Sequence, residues 1–289
     1  MAGYPDELRE LVDAYLEALT FSDDAATAGL DQAMGYSLLA GGKRVRPVLC
    51  LATARSVGAE PESVLPAAAA IELVHTYSLI HDDLPAMDDD DLRRGRPTSH
   101  KKFGEDVAIL AGDGLFAEAI NLFLGEQSGE PANVVAALRC LAGATGVGGM
   151  VGGQYIDVAA SVEDAEGLRK LHGLKTGRLI AASILVPLHL AGKSEAATLP
   201  YRSYAEELGV LFQIVDDILD VTGSDAELGK PHGSDERHGK LTYVSLFGLD
   251  RARELAADSH RQARAELDSI DGDTGDLELI TDFIHTRQT

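Results

Sequence analysis

The sequence predicts an all-α fold, one large helical bundle spanning residues 1–289. Apolar residues recur three and four positions apart, as in LRELVDAYLEAL near the start, and this period is typical of amphipathic helices. The segments are rich in Ala and Leu, which favour helices, and none has the alternating β-branched pattern of a strand. The Gly- and Pro-containing breaks are short, so no linker divides the chain.

The predicted helices follow one another with little chain between them. After the N-terminal helix they cover residues 31–40, 45–57, 63–80, 105–125, 131–147, 165–190, 200–221, 240–270 and 276–287. Pro85 is expected to end the helix over 63–80, because proline fits poorly inside a helix. The glycines of GVGGMVGG (146–153) follow no predicted strand, so we interpret them as sites of close helix packing rather than a nucleotide-binding loop.

The composition argues against several classes of protein. A net charge of −22 and a pI near 4.6 predict a surface that repels nucleic acid and anionic lipid. No signal peptide is apparent and no run approaches the roughly 20 apolar residues that span a bilayer, so we expect a cytoplasmic protein without a transmembrane segment. The acidity fits either an ordinary soluble surface or a halophilic one, and unfolding midpoints from low to molar KCl distinguish the two.

The most unusual segment is IHDDLPAMDDDDLRRGRP (80–97), which has six aspartates in ten positions. Asp82 and Asp83 follow a long apolar, helical run, and Asp88 to Asp91 lie beyond Pro85 in the turn that follows. Considered alone, such a turn is an ordinary exposed acidic loop.

A second cluster, FQIVDDILD, lies about 130 residues further along and contains no helix breaker. Asp216 and Asp220 are four residues apart and therefore share one face of a helix. Their apolar neighbours predict burial, where an unpaired carboxylate is costly and needs a cation. Neighbouring carboxylate oxygens suit Mg²⁺, especially a Mg²⁺ that also binds phosphate.

Basic residues lie beside glycines in a chain that is otherwise poor in positive charge. They occur in GGKRVRP (41–47), DLRRGRP (91–97), LKTGR (174–178), LGKPHG (228–233) and HGKLTY (238–243). Arg and Lys commonly bind phosphate oxygens, although each patch alone would be an ordinary solvated loop. Combined with two acidic clusters, the patches predict metal-bridged phosphate chemistry, and the lack of GxxxxGK[ST] argues against a P-loop nucleotidase.

These motifs resemble those of the trans-prenyltransferases, or polyprenyl diphosphate synthases. The matching stretches are DDLPAMD (82–88), DDILD (216–220), GGKRVRP (41–47), KTG (175–177) and FQ (212–213). The stretch around the first motif is most similar to bacterial-type short-chain synthases of the farnesyl diphosphate class. The resemblance covers essentially the whole chain. It implies an isoprenoid-synthase helical bundle with a central active-site cavity, a homodimer, and head-to-tail joining of dimethylallyl or geranyl diphosphate to isopentenyl diphosphate.

The resemblance also implies a role for each motif residue. Three Mg²⁺ ions would be held by Asp82 and Asp88 on one wall and by Asp216 on the facing wall, with support from Asp83, Asp217 and Asp220. The allylic diphosphate would be bound by Arg93, Lys175, Thr176, Gln213, Lys230 and Lys240, and isopentenyl diphosphate by Lys43, Arg46, His75 and Arg94. The residues expected to carry catalysis are Asp82, Asp88, Asp216, Arg93 and Lys175.

Some of these roles depend on the resemblance alone. His75 would otherwise be interpreted as a core histidine on an apolar helix. Gln154 and Asp157 in GGQYIDV match a further motif and are expected to support the metal site. Ser234 stands where the family commonly has lysine, so one cation of a phosphate-covering loop is missing.

Tyr77 bears on the length of the product. It precedes Asp82 by five residues, or about 7.5 Å along a helix, so its ring would form the floor of a cavity below the metals. By resemblance, a bulky aromatic at this position implies farnesyl diphosphate (C15). A small residue or Met there is commoner in synthases of geranylgeranyl diphosphate (C20), which stays the alternative product.

Three other functions explain part of the pattern. A class I terpene cyclase shares the helical architecture but usually carries one aspartate-rich motif and needs no site for isopentenyl diphosphate. A non-catalytic prenyltransferase subunit tends to lose aspartates, whereas both clusters are complete here. An acidic protein that binds divalent cations would explain the aspartates but not the basic motifs.

Overall fold

The computed structural model describes residues 3–159, 162, 164–223 and 240–287, and these are almost entirely helical. The helices are α1 (Asp6–Glu17), α2 (Ala28–Leu38), α3 (Val45–Ser56), α4 (Leu65–Asp82), α5 (Ser99–Phe103), α6 (Glu105–Glu126), α7 (Pro131–Thr145), α8 (Met150–Val158), α9 (Ala165–His172), α10 (Arg178–Leu190), α11 (Glu195–Thr222), α12 (Tyr243–Phe247), α13 (Leu249–Asp268) and α14 (Gly275–Thr286). A 3₁₀ turn, Pro61–Val64, precedes α4, and a π-helical turn, Gly173–Gly177, joins α9 to α10. The predicted all-α fold is confirmed.

Helices α4 and α10 lie at the centre of the bundle. The run Ala67–Leu73 of α4 is buried on every side, and α10 is buried from Ile180 through Leu188 apart from Ala181. Helix α4 packs against α3 and α6, and α10 packs against α3, α7 and α11. A helix that is apolar all round belongs in a protein interior, which explains why these two segments lack a polar face.

Helix α4 ends where the sequence predicts. The backbone N–H of Asp88 donates to the carbonyl of Asp82 over 2.9 Å, which closes a turn around Pro85. Asp89 takes a positive φ of 51°, so the chain leaves the helix axis sharply. The break therefore returns Asp88 to the neighbourhood of Asp82.

A short antiparallel ribbon follows this turn, formed by β1 (Leu92–Arg93) and β2 (Arg96–Pro97). The two residues between them, Arg94 and Gly95, both have positive φ, at 52° and 71°. Positive φ at both central positions is the geometry of a tight type I′ hairpin. The sequence analysis did not predict this ribbon, which fixes the directions of Arg93 and Arg94.

Three predicted helices differ in the structure, one in its end and two by an interruption. The helix predicted over 131–147 ends at Thr145, the one over 165–190 contains the π-helical turn, and the one over 240–270 breaks at Gly248. The glycines of GVGGMVGG do serve close packing. A Cβ atom on Gly153 would lie 2.3 Å from the backbone N of Lys175, so only glycine lets α8 approach the π-helical turn.

Three helical segments are long and apolar enough to cross a membrane by length and composition: Pro61–Asp82, Glu105–Glu126 and Pro131–Val158. No segment of this kind was expected from the sequence. In the first segment 67% of the apolar window is buried inside the protein, against 33% and 39% in the other two. Helix α6 in particular leaves Ile109, Leu110, Phe116, Ile120 and Leu124 exposed.

Candidate active site

A cavity of about 730 Å³ opens between the end of α4, α8, the π-helical turn and α11. Nine of the predicted site residues line it: Arg46, His75, Tyr77, Asp82, Arg93, Arg94, Lys175, Thr176 and Asp216. These residues come from segments up to 170 positions apart, so the fold gathers most of the predicted site into one space.

Two lysines lie among the carboxylates of the first acidic cluster. Lys175 Nζ is 2.6 Å from Asp157 and 3.9 Å from Asp82. Lys240 Nζ is 2.9 Å from Asp88 and 3.4 Å from Asp157. Burial raises the pKa of Asp82 to about 6, and Lys175 partly opposes that shift. Burial also acts on Asp157, but Lys175 and Lys240 hold its pKa below the usual value.

This arrangement fits a divalent cation. Asp82 and Asp88 are carboxylates brought together around positive charge, which the two ammonium groups supply. Asp157 binds both lysines and so couples them. Crowded carboxylate oxygens are the donors that Mg²⁺ prefers, so the residues present suit this metal.

The second acidic cluster is held inside a continuous helix. Asp216 faces the cavity and forms an ion pair with Arg287, just beyond the end of α14. The guanidinium of Arg287 also lies 4.2 Å from the centre of the Phe212 ring. Arg287 was not predicted as a site residue, because none of the motifs that predict the site includes it.

Asp217 and Gln213 tie α11 to two other elements. Asp217 accepts a hydrogen bond from Gln213 Nε2 over 2.8 Å and another from the backbone N–H of Tyr243 over 2.7 Å. Thr176 Oγ1 in turn donates to Gln213 Oε1 over 3.1 Å. Gln213 therefore lies behind the cavity wall and links the second acidic cluster to the π-helical turn. Asp220 is buried on the same helix and does not line the cavity.

Asp83 and Arg93 form a buried pair. Arg93 donates to both carboxylate oxygens of Asp83 over 2.6–3.0 Å, and Asp83 is only 3% exposed. Burial raises the pKa of Asp83, and Arg93 opposes that shift. Asp83 does not line the large cavity, so its direct contact is with an arginine, while Asp82 beside it faces the opening.

The basic motif GGKRVRP divides into three different environments. Arg46 lines the cavity, and its Nη1 lies 3.4 Å from His75 Nε2. Burial, with the charge of Arg46, lowers the pKa of His75 well below 6.5, so this histidine is neutral near pH 7. Arg44 is buried in an ion pair with Glu72 at 2.7 Å. Lys43 is exposed and lies 5.3 Å from the Phe283 ring, outside the cavity.

Some polar atoms in the cavity wall have no partner among the described residues. Both amide atoms of Gln154 and the Nε of Arg46 are buried and form no hydrogen bond with this part of the chain. A buried polar group without a partner is costly, so these atoms fit a wall that receives a polar ligand. Arg94, held through its hydrogen bond to the carbonyl of Gly41, adds a further cation at this side.

Lys230, predicted to bind the allylic diphosphate, and Ser234 fall outside the described residues. A further group of potential metal ligands was not predicted. Asp89, Asp91 and His100 bring potential metal-ligand atoms within 4.8 Å of one another, but both aspartates are exposed and Asp91 pairs with Lys101 at 2.7 Å.

Comparison with known sequences points to one family. The profile described as polyprenyl synthetase matches residues 27–272. The chloroplastic large subunit 1 of heterodimeric geranylgeranyl pyrophosphate synthase from Arabidopsis thaliana is 47% identical over 268 residues, which cover 90% of this chain and 72% of that protein. The chloroplastic geranylgeranyl pyrophosphate synthase of Capsicum annuum is 46% identical over 264 residues, covering 89% and 71%.

Solved structures agree on the fold. A geranyltransferase from Helicobacter pylori complexed with magnesium and isoprenyl diphosphate superposes with a TM-score of 0.87 at 32% identity, covering 96% of this chain and 94% of that one. An FPP/GFPP synthase from Zymomonas mobilis gives a TM-score of 0.85 at 35% identity, covering 97% of both chains.

Proposed function

The chain belongs to the polyprenyl synthetase family and is a short-chain prenyltransferase, and we propose that it extends allylic diphosphates with isopentenyl diphosphate to make geranylgeranyl diphosphate. The observation that carries the proposal is the position of Asp82 and Asp216, which come from two separate helices and line one cavity together with five cations. A cavity of this composition suits two diphosphates with hydrocarbon tails.

Asp82, Asp88 and Asp216 are the residues that would hold Mg²⁺, and we propose three ions in all. When bound, the metal neutralises the charge that develops on the departing diphosphate. Lys175 and Lys240 already lie among these carboxylates. Each would turn from a carboxylate to the diphosphate oxygens of the allylic substrate, with Thr176 donating from the same wall.

The second diphosphate belongs to isopentenyl diphosphate. We assign it to Arg46, His75 and Arg94, which lie together at the side of the cavity nearest Gly41. A neutral His75 can donate one N–H to a phosphate oxygen while its other nitrogen accepts from Arg46. Lys43 is exposed, so its part in binding requires the side chain to turn inward.

The cavity wall also protects a reactive intermediate. Departure of the diphosphate leaves an allylic carbocation, and water would quench it. Leu79, Met87, Met150, Val151 and Phe212 supply apolar lining around the charged groups. The double bond of isopentenyl diphosphate then attacks the cation, and the departed diphosphate takes the proton that is lost.

Two observations favour different product lengths. Relatives at 46–47% identity are named geranylgeranyl pyrophosphate synthases, which supports C20. Tyr77 supports farnesyl diphosphate as the second candidate, because its ring packs edge-on against Phe116, with ring centres 5.2 Å apart, and lines the cavity. We favour C20, since these relatives are more similar in sequence than the FPP/GFPP synthase at 35%.

Product analysis tests both the activity and the product. The purified enzyme is given Mg²⁺, labelled isopentenyl diphosphate and C5, C10 or C15 allylic primers. We expect C20 from all three, and accumulation of C15 with no use of the C15 primer would establish the farnesyl candidate instead.

Tyr77→Ala is expected to lengthen the product, with Tyr155→Ala, another aromatic residue of the cavity lining, as the matched control. An unchanged distribution in Tyr77→Ala would remove Tyr77 as the floor.

The assembly and location of the protein are also proposals. We propose one domain over residues 1–289 and a homodimer formed through the exposed apolar face of α6, which includes Phe116 and Leu124. Sedimentation analysis of a Leu124→Glu variant, expected to be monomeric, tests the interface.

We propose a cytoplasmic location, although plant relatives are named chloroplastic. A halophilic surface stays a proposal, tested by the unfolding midpoint in KCl.

A further inference from the structure

A second cavity lies on the other side of the π-helical turn. It has a volume of about 470 Å³ and is enclosed by α9, the π-helical turn, α10, α11 and Tyr243 of α12. Gly173, Leu174 and Gly177 of the turn face this space, whereas Lys175 and Thr176 face the active site. We call it the rear cavity. Its volume is within the range of about 300–1,000 Å³ typical of small-molecule sites.

The rear cavity is strongly basic in an acidic protein. Arg169, Lys170, Arg178 and Arg202 line it, and Glu206 is the one acidic residue of the lining. The whole chain has 47 acidic and 25 basic residues, so four cations against one acid reverse the overall balance. Among the described residues, none of the four cations forms an ion pair or a side-chain hydrogen bond.

Further charged groups lie around the rear cavity, including Glu207 and Glu266. Glu207, close to Arg169, is half-buried, and burial raises its pKa while Arg169 opposes that shift. Arg178 and Arg202 also line an adjoining groove with Arg139 and Lys193, where Glu195 is the acidic residue of the lining. Positive charge therefore extends across both sides of the exposed edge of α10.

The floor of the rear cavity is apolar. It includes Leu174, Ala181, Leu185, Val210 and the ring of Tyr243. Arginine forks around the opening suit phosphate oxygens, and an aliphatic and aromatic floor suits a hydrocarbon chain. A free inorganic anion would leave the floor unused, and a neutral lipid would leave the arginines unused.

From this combination we propose that the rear cavity is an effector site for an amphiphilic phosphate, a diphosphate or monophosphate ester with a hydrocarbon chain. It is separate from the active site and has no catalytic residue in its wall. The ligand binds through Arg169 and Arg202 with its chain against Leu174 and Val210, and no metal is required.

The rear cavity is coupled to the active site through its walls. The backbone N–H of Tyr243 holds Asp217, and Thr176 donates to Gln213, so α11, α12 and the turn are hydrogen-bonded together. A Cβ atom on Gly209 would lie 3.1 Å from the Cα of Gly177, so α11 and the turn are in close contact. A ligand behind the turn shifts Lys175 and Thr176 and changes the affinity for the allylic primer. By linkage, the primer changes effector binding by the same factor.

Calorimetric titration tests the binding half of the proposal. Geranyl diphosphate, dodecyl phosphate and inorganic diphosphate are titrated into the full-length enzyme in EDTA, which removes metal-dependent binding at the active site. We expect one equivalent of metal-independent binding for geranyl diphosphate. Dodecyl phosphate, a monophosphate ester with a hydrocarbon chain, is expected to bind in the same way, and binding at least tenfold weaker is expected for inorganic diphosphate. Equal affinity for inorganic diphosphate would overturn the assignment of an amphiphile.

Variants locate the site. Arg169→Ala/Arg202→Ala is expected to weaken metal-independent binding at least tenfold, whereas the matched control Arg251→Ala/Arg253→Ala on exposed positions of α13 binds as the wild type does. All four substituted residues are exposed, and an unchanged unfolding midpoint verifies the fold. Unchanged binding in the first variant would refute the rear cavity as the site.

Kinetics test the coupling, which rests on the proposed prenyltransferase activity, whereas the binding experiment does not. In wild type, dodecyl phosphate is expected to change the KM for the allylic primer at least threefold, and the arginine variant should lose this effect while keeping its turnover without effector. Binding without any change in KM would overturn the coupling. Failure of prenyl transfer itself would leave the calorimetric result standing.

Discussion

At the end of α4 the chain leaves its helix directly after Asp82, whereas α11 continues past Asp216 to Thr222. In the first region the carboxylates turn in different directions: Asp82 faces the cavity, Asp83 pairs with Arg93, and Asp88 returns to meet Lys240. In the second region the helix is unbroken, and Asp216 lines the cavity whereas Asp220, one turn later on the same face, is buried and does not.

The two regions also differ in what balances their charge. Lysines from the π-helical turn and the segment before α12 meet the first cluster, and Arg287 beyond α14 meets the second. Asp217 faces away from the cavity and binds backbone and amide groups. In the broken region Asp82 faces the cavity while Asp83 binds an arginine, and in the continuous helix Asp216 faces the cavity while Asp217 binds groups of the protein.

The largest effect is expected from Asp82→Ala. Removing this carboxylate should lower turnover by about 10³-fold, because the charge on the departing diphosphate loses a main source of stabilisation. The fold should survive, since burial already disfavours the charged form of Asp82. Steady-state kinetics and the unfolding midpoint measure the two quantities. Asp89→Ala, an exposed aspartate of the same segment, is the control, and wild-type turnover in Asp82→Ala would refute the assignment.

Asp217→Ala tests whether this carboxylate stabilises the fold by holding α12 to α11. The change leaves the N–H of Tyr243 and the amide of Gln213 without their acceptor, so the free energy of unfolding should fall by about 2–4 kcal/mol. Urea unfolding measures the loss, and Asp113→Ala on exposed α6 should change stability by less than about 0.5 kcal/mol. A loss no larger than that of the control would show that Asp217 does not hold α12 to α11.

Arg287→Gln tests the ion pair between Arg287 and Asp216 in the second acidic cluster. If Asp216 holds a metal as proposed, Arg287 would compete for its carboxylate, so removal of Arg287 should raise the affinity of the free enzyme for Mn²⁺ about tenfold, or about 1.4 kcal/mol. Titration followed by electron paramagnetic resonance measures this affinity without turnover. Arg261→Gln on α13 serves as control, and unchanged affinity in Arg287→Gln would mean that the pair does not restrain Asp216.

The smallest effect is expected on the pH dependence of stability through His172, which directly precedes the π-helical turn. Burial lowers the pKa of His172 from 6.5 to about 4, so the folded state binds its proton less readily than the unfolded state does. This contribution to stability is complete above pH 6.5 and is lost as pH falls toward 4. Between pH 7 and roughly pH 5.5 the free energy of unfolding should fall less in His172→Gln than in wild type, by about 1 kcal/mol. Parallel pH slopes in urea unfolding would contradict this.

The helices and the grouping of the motifs were predictable from the sequence. The helical period gives the elements, Pro85 gives the end of α4, and two acidic clusters amid basic glycine-rich segments give the chemistry. Asp82, Asp216 and Lys175 therefore meet in one cavity as the motifs suggested.

Other features left no local signal. Arg44 and Arg46 stand two positions apart, and only tertiary packing sends one to a buried pair with Glu72 and the other to the cavity. Arg287 meets Asp216 across 71 positions, and no pattern in either segment specifies that pairing. The hairpin at Arg94 depends on positive φ at a residue that rarely adopts it.

The π-helical turn makes chain length critical at one place. Such a turn holds one more residue than a regular helix would, and each residue of a helix turns the chain by about 100°. Deleting a single residue within Gly173–Gly177 would restore a regular helix and rotate α9 relative to α10. Lys175 would then lose Asp157, and Thr176 would lose Gln213, although every functional side chain was still present. The number of residues in this turn therefore matters to the site as much as the identities of Lys175 and Thr176, and a transplanted motif must keep both.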